Sequence, residues 1–439
     1  MSASVNTSLS TVPRPKSSYL KMIAIGSILL FLASLWLPFL LNGSKLSPDS
    51  TSYLNVARQL EALDFNVFAL LHERDASDQM YFRLLFVSLV AVMDKLLGTR
   101  WGDGIVFLNL AATTATFIYL WRTLREYRLG SITIMFGAVL AWLCIDIRLW
   151  QTFALADVLF ACGIAVLSVK IPRLIIERHG DLSSLLFSML LLTAVSLIRP
   201  NGIPFAAAIA CVWLQERFTS RRLPIRTDLR IWFASSACVF VAILGYGFFL
   251  FKEAPNAAYF ESYGPRSLLG FFKTGIIIHD RPSTNVMPPT TYFDYIHLLL
   301  TRLAYFFAPT VSGFSATHKL LNLAFFIPAG IGVLYGAHIA IFSIGLPTQI
   351  KTTLNLSLFY IIFTAIFHAC TLIDYDWRYR FPVLAPMIIV SMFALQAALA
   401  RHGGRISRIN NPFSENDPIA PAAKDAGAWL GAAAPPYQN

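Results

Sequence analysis

Charge is scarce in this sequence. Only 13% of its 439 residues are Asp, Glu, Lys or Arg, against 56% that are hydrophobic, a balance that excludes a disordered or ordinary water-soluble chain. The sequence also lacks a glycine-rich nucleotide-binding loop, a His-Glu-x-x-His pair and any internal repeat. These absences argue against nucleotide-dependent chemistry, zinc hydrolysis and a solenoid. The five cysteines, Cys144, Cys162, Cys211, Cys238 and Cys370, lie in apolar segments without metal-ligand spacing. They read as buried structural thiols and say nothing about redox compartment.

What the chain does have is repeated apolar runs of about 17–25 residues, the length that crosses a hydrocarbon core. This predicts an all-α polytopic membrane protein. The first run, residues 22–41, is long and has no small-residue cleavage site, so it reads as a retained span rather than a signal peptide. The net charge of +11 could point to nucleic acid, but Lys and Arg fall in short loops between spans, as the positive-inside rule expects. Placing residues 1–19 (Arg14, Lys16), 122–128, 170–178, 217–230 and the tail after Arg401 in the cytoplasm puts both termini inside.

Apolar segments near 22–41, 104–121, 131–147, 156–170, 182–198, 202–215, 231–251, 320–343, 353–372 and 382–400 then give about ten crossings. Residues 81–97 and 292–310 are apolar too. Crossing would break the charge sidedness, so they read as juxtamembrane helices on the outer surface; if both crossed, the bundle would have about twelve spans. The domain is expected over 20–400, with large outer loops at 42–102 and 252–319 and a disordered tail over 401–439.

Four short segments carry chemistry. In Ser47-Pro48-Asp49-Ser50-Thr51-Ser52-Tyr53, Ser47 and Pro48 are an N-cap and a first-turn proline, which places Asp49 in the first turn of a helix. Asp49, Tyr53 and Ala57 then share a face. Such a carboxylate suits a general base; the plainer reading is that it complements the helix dipole. Asp157 stands at the outer end of a span, a site by default unless it pairs with nearby Arg148. Arg199, in Arg199-Pro200-Asn201-Gly202, either snorkels to headgroups or clamps a phosphate. Residues Asp374-Tyr375-Asp376-Trp377-Arg378-Tyr379-Arg380 put two arginines on the outer side against the charge bias. That makes Arg378 and Arg380 better phosphate ligands than Arg199.

In this order, the four segments resemble GT-C-fold glycosyltransferases of the group containing protein O-mannosyltransferases and the lipid A aminoarabinose transferase. Asp49-Ser50-x-x-Tyr53-x-x-x-Ala57 resembles the family's first outer loop, Asp157-x-Leu159-Phe160 its acidic-x-leucine-phenylalanine element, and Arg378-Tyr379-x-x-Pro382 with Pro386 the opening of its final span. The resemblance implies a GT-C-like bundle with outer juxtamembrane helices. It implies Asp49 as the catalytic residue, and donor or acceptor contacts from Tyr53, Asp157, Arg199, Arg378, Tyr379 and Arg380. In place of the family's His-Pro-Pro or Lys-Pro-Pro element stands Leu71-His72-Glu73-Arg74-Asp75, followed by Arg83; from this stretch His72, Glu73 and Arg83 are the candidate contacts.

The implied reaction moves a sugar, with inversion, from a polyprenyl-phosphate donor to a lipid, glycan or protein acceptor outside a bacterial inner membrane. No cofactor or essential metal is expected, and no nucleic acid; the missing nucleotide motif agrees with a lipid-borne donor. A lipid-linked sugar flippase is one alternative, although it would more typically show mid-membrane charges and pseudo-repeats. An O-antigen ligase or polymerase is the other, with His279 and His297 in the second large loop as its candidate histidines.

Overall fold

The computed structural model describes residues 17–73, 83–199, 201–219, 290–310, 313–342, 346–371 and 377–403. The expected span at 231–251, most of the loop 252–319, the first residues of the chain and the tail after 403 lie outside them. The described elements, in chain order, are α1 (Ser17–Asn42), α2 (Pro48–Ala62), α3 (Val67–Glu73), α4 (Leu84–Leu97), α5 (Trp101–Glu126), α6 (Ser131–Leu143), α7 (Ile145–Trp150) and α8 (Asp157–Glu177). They continue as α9 (Leu182–Ser196), α10 (Ile203–Thr219), α11 (Tyr292–Phe307), α12 (Ala316–Phe342), α13 (Thr348–Thr371) and α14 (Phe381–Gly403). Short 3-10 turns cover Gly98–Arg100 and Trp377–Arg380.

The protein is an all-α, multi-pass membrane protein. Among the described residues, six stretches are long and apolar enough to cross a membrane: Met22–Asn42, Leu84–Glu126, Asp157–Glu177, Ala316–Phe342, Thr348–Ala369 and Arg378–Arg401. Ser131–Leu143 and Leu182–Ser196 are shorter apolar helices. Helix α1 shows why such segments need lipid. Ala24, Ile28, Phe31 and Leu35 form a buried stripe at helical spacing, while Met22, Leu29, Leu30, Leu40 and Leu41 stay exposed. A helix apolar on its inner and outer faces alike is stable only where the outer face meets hydrocarbon.

The stretch Leu84–Glu126 is two helices. Gly98 takes φ of 54°, a conformation open to glycine at little cost, and the chain changes direction there. Met93 and Leu97 of α4 then pack onto Gly104 of α5. Helix α5 alone has 26 residues, about 39 Å at 1.5 Å per residue, enough to span. Helix α4 covers the buried face of α2, with Phe86 edge-on to Tyr53 at 4.8 Å between ring centroids.

Helix α14 runs through the middle of the bundle, with Val383, Leu384, Met387, Ile389 and Val390 buried. It approaches α12 closely because Gly332 and Gly336 leave room for Ser391 and Val390. Ser391 Oγ reaches the Ala329 carbonyl at 3.1 Å across that contact. Small residues allow this proximity between apolar helices that gain nothing from burial against lipid. The central helix therefore holds its N-terminal end, and the 3-10 turn before it, in a fixed place.

Candidate functional site

The site forms where the first turns of α2 and α8 meet the turn before α14. Ser47 caps α2: its hydroxyl accepts from Ser50 N at 3.2 Å, and Ser50 Oγ accepts from Ser47 N at 3.0 Å. With Pro48 in the first turn, Asp49 is held at the helix start, as its sequence predicts. The Ser50 hydroxyl also donates to the Ala154 carbonyl at 3.0 Å. Beside it, Lys45 N donates to Thr152 O at 2.8 Å and Ala154 N donates to Lys45 O at 3.1 Å. Asn109 Nδ2 donates to the carbonyls of Phe153 and Leu155, each at 3.2 Å. Main-chain bonds thus tie the approach to α2 to the approach to α8, and fix Asp49 relative to Asp157.

Three guanidinium groups gather around these two carboxylates. Arg378 Nη1 donates to Asp49 Oδ2 at 2.6 Å, a pair in which Asp49 keeps 32% of its side-chain surface exposed and Arg378 17%. Arg199 pairs with Asp157, and both are almost fully buried. Arg83 donates to the Tyr53 hydroxyl, and the charges of Asp49 and Arg378 act on it. Burial, then the neighbouring cation Arg83, pushes Arg199 down to about 9, with Arg378 adding to the fall and Asp49 opposing it; it is still a cation at neutral pH. Arg83 is also lowered, chiefly by burial. Tyr379 completes the cluster, with the Arg199 guanidinium 5.4 Å above its ring and the buried His368 at 5.0 Å on another side.

Among the described residues, the cluster sets three guanidiniums, Arg83, Arg199 and Arg378, beside two carboxylates, Asp49 and Asp157. Such an arrangement can hold an anion, and the partly exposed Asp49 can accept a proton once Arg378 moves off it.

The structure sorts the sequence-predicted residues unequally. Asp49, Tyr53, Arg83, Asp157, Arg199, Arg378 and Tyr379 come together. Arg380 does not: it turns into the core, 1% exposed, against Asp146. Asp157 pairs with Arg199 and not with Arg148, whose guanidinium lies 5.4 Å from the Trp142 ring. Arg199 faces inward, so it does not snorkel. His72 and Glu73 belong to α3, but their side chains fall outside the described residues. Sequence reasoning passed over Asp146, although a carboxylate at the end of an apolar segment is itself a signal.

An apolar cavity of about 110 Å³ lies between α1, α5, α6, α8 and α14, its lining including none of the clustered charged residues. Phe117, Trp121, Ala161, Leu384 and Ile388 form its walls. Its lining also includes Ile147, Gln151, Val158 and Phe381, the chain neighbours of Asp146, Trp150, Asp157 and Arg380. Trp150 is itself the ring beneath the Arg378 guanidinium, at 5.9 Å. The Gln151 side-chain oxygen is buried with no hydrogen-bond partner among the described residues. Comparisons with protein-family models, curated proteins and solved structures return no match.

Proposed function

We propose that this protein is a membrane glycosyltransferase that moves a sugar from a polyprenyl-phosphate donor to an acceptor on the outer face of the bacterial inner membrane, with both termini in the cytoplasm. The observation that carries this reading is the gathering of three guanidiniums and a carboxylate that keeps 32% of its side-chain surface exposed, with an apolar cavity between spans nearby. A lipid-linked sugar phosphate has the complementary parts: an anion, a reacting carbon beside it and a hydrocarbon chain.

Arg83, Arg199 and Arg378 bind the donor phosphate. The phosphate competes with Asp49 for Arg378, and transfer of that guanidinium to the donor frees the Asp49 oxygen. Asp49 then takes the proton of the acceptor hydroxyl as the acceptor oxygen attacks the anomeric carbon from the face opposite the phosphate. The carbon–oxygen bond to phosphate breaks, its electron pair stays with the leaving polyprenyl phosphate, and the sugar is inverted. The arginines stabilise the charge developing on the leaving group, and their preorganisation lowers the barrier. Asp49 returns its proton to water. The lipid chain enters the apolar cavity between the spans.

Asp49→Asn, reconstituted in membranes with a lipid-linked sugar, tests the reading. Loss of general-base catalysis slows turnover by about 10²–10⁴-fold, with folding intact. Near-normal turnover of a correctly folded variant removes Asp49 from the mechanism.

A further inference from the structure

The turn Trp377–Arg380 has two sides, and only one faces the charged cluster. Arg378 and Tyr379 serve the site. Arg380 points the other way. Its Nε and Nη2 donate to Asp146 Oδ2 at 3.2 and 3.0 Å, its Nη1 donates to the Ala308 carbonyl at 2.7 Å, and its guanidinium lies 4.4 Å from the centre of the Phe326 ring. Asp146, in the first turn of α7, is wholly buried, and its Oδ1 is 3.7 Å from His318 Nε2. His318 stacks on Phe314, with ring centroids 3.7 Å apart. One buried ion pair therefore gathers the start of α7, the site turn, the end of α11 and the start of α12.

Stability gives little reason for such a pair. Taking two charges out of water costs several kcal/mol, and well-packed apolar residues of the same volume commonly serve as well or better. What an ion pair supplies that apolar packing does not is a fixed register, because the Arg380 guanidinium holds Asp146 Oδ2 with Nε and Nη2 and the Ala308 carbonyl with Nη1 at once. Successive residues of a 3-10 helix rise only about 2.0 Å each, so a displaced Arg380 displaces Arg378 by nearly as much. A misplacement of about 1 Å at a reacting centre can cost on the order of 10²-fold in rate.

We propose that Asp146 and Arg380 are positioning residues: their buried pair sets where Arg378 and Tyr379 stand, and couples that turn to the junction of α11 and α12. The assignment of Arg378 to the donor phosphate rests on the transferase reading; the coupling of the segments does not.

Asp146→Asn keeps the shape and removes the charge. Hydrogen exchange of the lipid-reconstituted protein, followed by mass spectrometry, reads the coupling without any substrate. Amides of residues 377–380 and 316–319 exchange at least about tenfold faster in Asp146→Asn, while the first turns of α2 and α8 stay within about twofold of wild type. Exchanging the charges, Asp146→Arg with Arg380→Asp, restores protection in both segments. If Asp146→Asn fails to fold, Arg380→Lys, which keeps the charge and loses the fork, is read at the same amides. Unchanged exchange at 377–380, or a uniform rise across the protein, overturns the proposal.

In the transfer assay, Asp146→Asn raises the donor KM by about tenfold and lowers kcat by about tenfold, the signature of a displaced group that holds the donor phosphate in both the ground state and the transition state. Should wild-type protein transfer no sugar, the transferase reading falls, and the exchange data alone decide the coupling.

Discussion

The pair Asp157–Arg199 gives the sharpest quantitative test of the site. Both side chains are nearly inaccessible, at 3% and 5% exposure, and replacing Asp157 by Asn leaves Arg199 buried without its counter-charge. Removing one partner of a buried ion pair costs about 3–5 kcal/mol. At about 2.1 cal/mol/K of unfolding entropy per residue, a chain of 439 residues shifts by roughly 1 °C per kcal/mol, so the midpoint of thermal unfolding falls by about 3–5 °C. The double replacement Asp157→Leu with Arg199→Met removes both charges at similar volume and recovers most of that loss. Activity follows a different order: the stable double variant lacks a phosphate ligand, so its transfer falls by about 10²–10³-fold. The assay pairs fluorescence-detected thermal unfolding in detergent with sugar transfer in liposomes. A loss below about 1 kcal/mol for Asp157→Asn, the size typical of a solvated surface pair, refutes the buried pairing. A double variant with full transfer refutes the role of Arg199 at the donor.

Other outcomes follow from the same geometry. Arg378→Ala breaks a partly exposed pair and so costs at most about 1 kcal/mol of stability, while donor binding, measured as KM for the lipid-linked sugar, weakens more than acceptor binding. Ser50→Ala removes the hydroxyl that bonds both Ser47 N and Ala154 O; it lowers stability by about 1–2 kcal/mol and reduces turnover by loosening Asp49 relative to Asp157. At the start of α11, Asp294 accepts hydrogen bonds from Thr290 and Thr291, which hold its carboxyl below the usual carboxylate range. A depressed pKa means the cap's contribution is complete above the ordinary carboxylate value and lost as pH falls through the lowered one. Amides of residues 292–295 are therefore better protected in wild type than in Asp294→Asn at neutral pH, and the difference disappears as pH falls through the lowered carboxylate range.

The membrane-spanning segments are legible in the sequence because lipid imposes length and apolarity on each segment separately. The α2 cap is legible for a related reason: Ser47, Pro48 and Asp49 interact within one helical turn. Pairing across the bundle is not local. Arg378 meets Asp49 from 329 positions away, and Arg380 meets Asp146 from 234, separations that carry no periodic signal. Proximity along the chain also misleads: Arg148 is the cation nearest Asp157 in sequence, yet α7 presents it to Trp142, and Arg199 arrives from the end of α9 instead. The two outer arginines, Arg378 and Arg380, are alike in composition and charge bias. Which faces the site depends on how a four-residue turn is rotated about its axis, and Asp146, far away in the sequence, takes one of them.

The backbone bonds between Lys45 and the strand-like segment at 152–154 have a consequence for how this protein can change over generations. The spacing of the two site carboxylates is held there by main-chain amides and carbonyls, which every residue except proline supplies in full. Side chains at 45, 152 and 153 can drift under mutation while the spacing persists, whereas a proline at 45 or 154 removes a donor and the spacing with it. A family descended from this chain would keep Asp49 and Asp157 on a scaffold whose letters are free to vary.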